Sequence, residues 1–124
     1  MNQVLIVEDE TLVALELEMF VSNLGFNIVA ICSNANSTLE TLKAHKTDII
    51  LMDINIKGEI NGVDLAQIIK TKYKNIQIIF LTAHIDEKNR KLAALSNPLA
   101  FLAKPFNQDE LKDTLLLAQK KLSS

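Results

Sequence analysis

Short apolar runs alternate with longer segments of helical period along this chain. The runs are rich in Val and Ile and span only four or five residues, whereas the segments between them repeat apolar residues every three or four positions. This alternation is typical of a parallel sheet that is covered by helices on both faces. The sequence therefore predicts an α/β fold, a doubly wound five-stranded parallel sheet with five helices.

The bounds of the predicted elements follow from the apolar runs and from capping residues. We expect strands at 3–7, 27–31, 49–52, 77–81 and 100–103. The predicted helices begin near Thr11, at Asn36 or Ser37, after Asn61, at Glu87 and at Gln108. We expect Gly25 to end the first helix, and Gly58 and Gly62 to permit backbone angles that other residues resist.

Length and charge restrict the class of protein. A chain of 124 residues falls in the range of about 100 to 150 that is usual for one domain, so we expect a single domain over residues 1–124. The net charge of -2 is spread along the chain and predicts neither nucleic-acid nor membrane binding. The single cysteine, Cys32, forms no internal disulfide, and the N-terminus does not resemble a signal peptide, which together favour the cytoplasm.

Four of the apolar runs end at polar residues that phosphoryl chemistry uses. VLIV precedes Glu8 and Asp9, IILM precedes Asp53, IIFL precedes Thr82, and AFLA precedes Lys104. In open parallel sheets, ligands bind beyond the carboxyl ends of the strands. Each pattern taken alone is ordinary, since an acidic pair after a strand is common at a solvated helix start, but together they predict a functional site at one edge of the sheet.

The residue types at this edge indicate a particular chemistry. Three crowded carboxylates repel one another unless a hard cation, most simply Mg²⁺, shares the site. With such a cation, Asp53 is the candidate nucleophile toward phosphorus. Lys104, the Thr82 hydroxyl and the Ala83 backbone N–H are candidates to neutralise or bind the phosphoryl oxygens.

The segments VLIVEDE, LMD, FLTA and FLAKPF, in this order and spacing, resemble the receiver domain of bacterial two-component response regulators, including chemotaxis-type single-domain regulators. The resemblance covers essentially the whole chain and implies a flavodoxin-like fold with strand order 2-1-3-4-5. It also implies a signalling phosphoacceptor rather than an enzyme, one that catalyses only its own aspartyl phosphorylation and dephosphorylation. The phosphoryl group would come from a histidine kinase or a histidine phosphotransfer protein.

The resemblance also implies roles for individual residues. Asp53 would accept the phosphoryl group, and Asp9, Asp53 and the Asn55 carbonyl would hold Mg²⁺, with Glu8 binding it through water. Thr82 would shift toward the phosphoryl group while Phe101 turns inward, which would change the surface formed by helix four, strand five and helix five. A downstream protein or an attached effector domain would recognise that surface.

Three further expectations concern the segments around this site. By the same analogy, the Lys104–Pro105 peptide bond is expected to be cis. The chain departs from the family pattern at Lys57-Gly58, in a loop one residue longer than usual, and at Asn97-Pro98, where a stiffer entry to strand five is expected. His84, two residues after Thr82, is expected to border the phosphorylation site.

Two other classes of protein fit the sequence less well. A haloacid dehalogenase-type phosphatase also has its nucleophilic Asp after a buried strand, but it needs a second Asp two residues later, where this chain has Asn55. A nucleotide-binding module would require a glycine-rich phosphate loop, which the three glycines do not form. Whether the chain is a stand-alone receiver or part of a longer regulator stays open at this point.

A second apolar stripe on the first helix is not explained by the predicted core. Leu12, Leu15 and Met19 lie on one face, away from the face expected to pack on the sheet. Exposed apolar patches often mark interfaces. The stripe is therefore interpreted as a docking surface for a phosphodonor helix pair or for a second copy of the chain, with scattered surface residues as the alternative.

Overall fold

Five parallel strands form a single sheet in the computed structural model, which describes residues 2–56, 58–83 and 86–122. The strands are β1 (Gln3–Val7), β2 (Asn27–Cys32), β3 (Ile49–Asp53), β4 (Gln77–Thr82) and β5 (Ala100–Ala103). Their order in the sheet is β2-β1-β3-β4-β5. The predicted fold class is therefore confirmed, and the predicted strand bounds agree with the structure to within one residue.

Five helices cover the two faces of this sheet. They are α1 (Thr11–Asn23), α2 (Ala35–Ala44), α3 (Gly62–Lys72), α4 (Glu87–Ala94) and α5 (Gln108–Leu122). One core cluster joins the sheet to α2, α3 and α4, and the other joins it to α1 and α5. The central strands are buried on both faces, which is why they read as continuous apolar runs.

The register of the parallel strands brings the predicted site residues to one edge. Val7 pairs with Met52, so the residues that follow β1 align with Asp53 at the end of β3. Asp53 in turn pairs with Leu81, and Thr82 pairs with Ala103, the residue before Lys104. The pairing of the strands therefore brings the ends of β1, β3, β4 and β5 to one edge of the sheet, and this does not require contacts between their loops.

The start of α2 differs from the prediction at Asn36 or Ser37. Asn34 is the N-cap, and its side-chain oxygen accepts a hydrogen bond from the Ser37 backbone N–H at 2.9 Å. Asn and Ser have similar N-cap preferences, so the local sequence offers several candidates. The helix begins at Ala35, directly after this cap, and buries Ala35, Thr38 and Leu42.

The two loop glycines before α3 have different roles. Gly58 has a φ of 115°, as the prediction of unusual backbone angles requires. Gly62 does not use that freedom, because its φ is not positive. What requires glycine there is space: a Cβ atom at position 62 would lie 2.4 Å from the Asp53 carbonyl oxygen.

Two backbone features near β5 lie at positions that the sequence analysis singled out, and the second of them confirms its expectation. Asn97 has a φ of 53°, in the left-handed region that Asn tolerates, and it leads into Pro98. The Lys104–Pro105 peptide bond is cis. None of the helices in the described part of the chain combines the length and the apolar character that crossing a membrane requires.

Candidate functional site

Three carboxylates come together at the carboxyl edge of the sheet. Glu8 and Asp9 follow β1, Asp53 ends β3, and each offers an oxygen such that all three oxygens lie within 4.8 Å of one another. Glu8 and Asp53 are buried, whereas Asp9 is half-buried. Such a group of negative charges in a protein interior is unfavourable unless cations balance it.

Lys104 supplies one positive charge to this group. Its Nζ lies 2.5 Å from Glu8 Oε1 and 3.2 Å from Asp53 Oδ2, and all three side chains are largely buried. Burial opposes the charged form of the lysine, but its contacts with Glu8 and Asp53 outweigh that effect and raise the pKa of Lys104. The lysine is therefore a fixed cation that bridges the ends of β1 and β3.

Burial and the neighbouring charged groups perturb the pKa of Glu8. Burial raises the pKa of Glu8 from 4.5 to about 7, and the neighbouring Asp53 contributes in the same direction, while Lys104 opposes it. Glu8 Oε2 also accepts a weak hydrogen bond from the Glu10 backbone N–H, at 3.3 Å. In the absence of another cation, Glu8 therefore holds its proton to a higher pH than an ordinary glutamate does.

The Asp53 carboxylate is held from two sides. The Asn55 backbone N–H donates to Asp53 Oδ1 at 3.0 Å, and Lys104 approaches Oδ2. The backbone that follows Asp53 is fixed as well, because the Gly62 N–H donates to the Ile54 carbonyl oxygen at 2.9 Å. These contacts leave the carboxylate little freedom to rotate.

A cavity of about 200 Å³ opens beside Asp53. It is lined by Asp9, Glu10, Asp53, Asn55, Ala83 and Lys104. Thr82 lies at the same edge, at the end of β4, and is buried; its carbonyl oxygen accepts a hydrogen bond from the Lys104 backbone N–H at 3.0 Å. The space is of the right order for a small charged group rather than for a large organic ligand.

The donor set fits a hard divalent cation. Carboxylate oxygens from Glu8, Asp9 and Asp53 and the oxygens of the Asn55 residue are the ligand types that Mg²⁺ prefers, and the set contains no sulfur or imidazole. The net charge of the three carboxylates and one lysine is also negative when all are ionised. The acidic cluster can therefore hold a metal ion of this kind.

Phe101 lies on β5, apart from the acidic cluster. Its ring stacks on that of Phe80, with 5.3 Å between the ring centroids and 22° between the ring planes. The guanidinium carbon of Arg90, on α4, lies 5.0 Å from the centroid of the Phe101 ring. Phe101 is thus partly buried between β4 and α4, and it links the outer strand β5 to that helix.

The apolar stripe on α1 is exposed, as expected from the sequence. Leu12, Leu15 and Met19 expose 76%, 44% and 66% of their surfaces, while Leu17 and Val21 on the other side of the helix are fully buried. The stripe begins at Leu12, two residues after Glu10, which lines the cavity beside Asp53.

Two contributors to this region were missed by sequence reasoning. Gly62 allows the start of α3 to approach Asp53, and Arg90 contacts Phe101; neither has a sequence signal beyond a glycine at a helix start and an arginine on a polar helix. Lys57 and His84, for which we had expectations, lie outside the described residues.

The sheet order, the acidic cluster and the lysine after β5 define an α/β domain with a charged site at the carboxyl edge of its sheet, and comparison with known proteins gives its family. The family model of the response regulator receiver domain matches residues 4–116. The chain belongs to this family, whose members serve as signalling phosphoacceptors in two-component systems.

Curated relatives support the same assignment. The transcriptional regulatory protein CitT of Bacillus subtilis is 31% identical over 122 residues, which cover 98% of this chain and 54% of CitT. The sensory transduction protein LytR of Staphylococcus haemolyticus is 34% identical over 121 residues, which cover 97% of this chain and 46% of LytR. The chain thus spans about half the length of these relatives.

Solved structures agree in fold. The signal receiver domain of a modulated diguanylate cyclase from Desulfovibrio desulfuricans G20 is 31% identical, with a TM-score of 0.92 over 99% of this chain and 97% of that one. A CheY-like receiver domain from Methanospirillum hungatei JF-1, at 19% identity, has a TM-score of 0.88 over 99% of this chain and 94% of that one. Receiver domains of this family interact with kinases and effector domains and generally depend on Mg²⁺.

Proposed function

We propose that residues 1–124 form one receiver domain that accepts a phosphoryl group on Asp53 in a Mg²⁺-dependent reaction. The donor is a histidine kinase or a histidine phosphotransfer protein. The observation that carries this proposal is the buried Asp53 carboxylate, which faces a small cavity, lies 3.2 Å from Lys104 and shares its surroundings with Glu8 and Asp9. We place the protein in the cytoplasm, where such donors have their phosphohistidine domains.

The chemistry is a transfer from nitrogen to oxygen. One carboxylate oxygen of Asp53 forms a bond to phosphorus while the P–N bond of the phosphohistidine breaks, and the imidazole retains the electron pair of that bond. The contacts from Asn55 and Lys104 hold the Asp53 carboxylate in place before the donor arrives. The carboxylate therefore has little orientational freedom left to lose on the way to the transition state.

Charge neutralisation is divided between the protein and the metal ion. Asp9, Asp53 and the Asn55 carbonyl would hold Mg²⁺, with Glu8 binding through water, and the ion would offset negative charge on the transferring phosphoryl group. Lys104, whose Nζ lies 3.2 Å from Asp53 Oδ2, would donate to a phosphoryl oxygen. The Thr82 hydroxyl and the Ala83 N–H would bind the remaining oxygens.

The output is a change in surface rather than a released product. Once Thr82 moves toward the phosphoryl group, Phe101 packs inward and the surface of α4, β5 and α5 changes for a downstream protein or an attached effector domain. The contact between Phe101 and Phe80 supports this role, because it connects the strand that ends in Thr82 to the outer strand β5. We do not propose that the protein catalyses the turnover of a separate substrate.

The test is the intact mass of the protein after incubation with acetyl phosphate, with and without Mg²⁺. We expect a phosphoryl adduct that requires Mg²⁺ and is absent from Asp53→Asn. Asp113→Asn, at an exposed position on α5, is the matched control and should acquire the adduct normally. If the folded wild-type protein acquires no adduct from acetyl phosphate, phosphoramidate or a phosphorylated histidine phosphotransfer domain, the proposal is wrong.

A further inference from the structure

Arg90 occupies a distinctive position on α4. Of the eight described residues of this helix, only Ala93 is buried, so few side chains fix the helix to the sheet. Arg90 is largely exposed, yet its guanidinium carbon lies 5.0 Å from the centroid of the Phe101 ring. A guanidinium at this distance over an aromatic face makes a favourable cation–π contact.

Phe101 contacts two groups that restrict its ring. On the side of the sheet it stacks on Phe80, which is fully buried and therefore cannot move without disturbing the core. On the side of α4 it contacts Arg90, whose long side chain is exposed. An outward rotation of the Phe101 ring would break its contact with Phe80. It would also break the present contact with Arg90, which could re-form only after the Arg90 side chain followed the ring.

We propose that Arg90 is a positioning residue for Phe101: its guanidinium stabilises the ring in the position stacked on Phe80, and so sets the ratio between packed and released rings. This inference deepens the proposed function and rests on it, since Phe101 is the switch residue there. Because Arg90 contacts the ring in the position stacked on Phe80, it favours that position over others that the ring can take.

The size of the effect follows from the exposure of the contact. Exposed cation–π contacts shift an equilibrium by about two- to fivefold. Arg90→Gln removes the charge and the planar guanidinium, so the ratio of packed to released Phe101 should fall by about that factor. Arg90→Lys keeps the charge and should retain part of the effect. Lys91→Gln makes the same change of charge at the next position of α4 and should have no effect.

The direct measurement is the χ1 rotamer population of Phe101 in protein labelled with ¹³C at phenylalanine, from three-bond couplings in the unphosphorylated state. The ratio should fall in Arg90→Gln, fall less in Arg90→Lys and stay unchanged in Lys91→Gln. An unchanged ratio in Arg90→Gln overturns the proposal. A fall of the same size in Lys91→Gln also overturns it, because the cause would then be the charge of α4 in general.

A double-mutant cycle separates this role from a merely structural one. If Arg90 acts through the ring, the loss of stability caused by Arg90→Gln should disappear in a Phe101→Leu background. An equal loss in both backgrounds would mean that Arg90 stabilises α4 by another contact, and the proposal would be wrong.

A second arm distinguishes failure of this inference from failure of the proposed function. Wild type and Arg90→Gln are each incubated with phosphoramidate and Mg²⁺, and adduct formation on Asp53 is followed by mass. If wild type is phosphorylated but the Phe101 populations of wild type and Arg90→Gln coincide, only the role of Arg90 fails. If no adduct forms while the populations differ as expected, the role of Arg90 stands and the proposed function fails.

Discussion

Lys104 Nζ lies 3.2 Å from Asp53 Oδ2, although β4 separates their two strands in the sheet. The contact is possible because both residues stand just at the carboxyl ends of their strands and the lysine side chain extends across the end of β4. The same ammonium contacts Glu8, at the end of a third strand. A single side chain thus connects three of the strand ends that make up the site.

The first prediction concerns this lysine. Lys104→Met leaves Glu8 and Asp53 buried without their cation, so the protein should unfold more easily at neutral pH, and phosphorylation by phosphoramidate should be slower by about tenfold or more. Urea unfolding and intact mass over time measure the two effects. Lys112→Met, at an exposed position on α5, is the control and should change neither. An equal phosphorylation rate in Lys104→Met would contradict the role given to this ammonium.

The second prediction concerns the pH dependence of stability in the absence of divalent cations. The pKa of Glu8 is raised from 4.5 to about 7, first by burial. The folded protein therefore binds more protons than the unfolded chain within that interval, and its stability should fall as the pH rises from 4.5 to about 7. Glu8→Gln should remove this part of the pH dependence and be more stable than wild type at the upper end of the interval.

Chemical denaturation in EDTA at the two ends of the interval measures this effect. Glu59→Gln, at an exposed loop position, should keep the wild-type pH dependence. Added Mg²⁺ should stabilise wild type more than Glu8→Gln, because the glutamine has no charge for the ion. Identical pH profiles for wild type and Glu8→Gln would show that the Glu8 carboxyl is not perturbed as described.

The third prediction concerns the close approach at Gly62. In Gly62→Ala the new Cβ would lie 2.4 Å from the Asp53 carbonyl oxygen and 2.8 Å from Ile54 Cα, and backbone atoms cannot give way easily. The substitution should cost about 1 to 3 kcal/mol of stability, although alanine is the better helix former. Because the strained atoms belong to Asp53, the proposed phosphoacceptor, and to its neighbour Ile54, the phosphorylation rate should fall as well.

Thermal unfolding and phosphorylation by phosphoramidate are the measurements for this variant. Gly25→Ala is the matched control, since Gly25 has a φ of 99° but no heavy atom within 4 Å of an added Cβ, and it lies at the opposite edge of the sheet. It should lose stability through its backbone angle alone and keep the wild-type phosphorylation rate. A Gly62→Ala protein as stable and as active as wild type would refute the steric argument.

The fourth prediction concerns the apolar stripe of α1. Leu15→Glu should leave the fold intact because Leu15 is exposed, but it should slow phosphotransfer from a histidine kinase or phosphotransfer protein, or abolish self-association, depending on which partner covers the stripe. Phosphorylation by the small donor phosphoramidate should not change. Leu117→Glu, at a similarly exposed leucine on α5, is the control.

Phosphotransfer kinetics and analytical ultracentrifugation provide the two readouts. If neither the phosphotransfer rate nor the oligomeric state changes in Leu15→Glu, the stripe is a set of scattered surface residues and has no docking role.

The sequence by itself determined the sheet and the edge at which the site lies. Strands buried on both faces must be apolar throughout, so β3 and β4 stand out as continuous runs, and the first polar residue after each run marks the strand end. Because parallel strands end at one edge, Glu8, Asp53 and Lys104 could be placed together before any distance was known. This placement needed only the position of each polar residue directly after its strand in the sequence.

Only the tertiary structure decided the contacts that depend on how helices pack on the sheet. The need for glycine at position 62 arises from the backbone of Asp53, and the role of Arg90 arises from a ring on β5. Asn34 rather than Asn36 caps α2, and the helix that follows packs Ala35, Thr38 and Leu42 into the core. Local sequence carries no record of such neighbours, because each contact joins segments that meet only after the chain has folded.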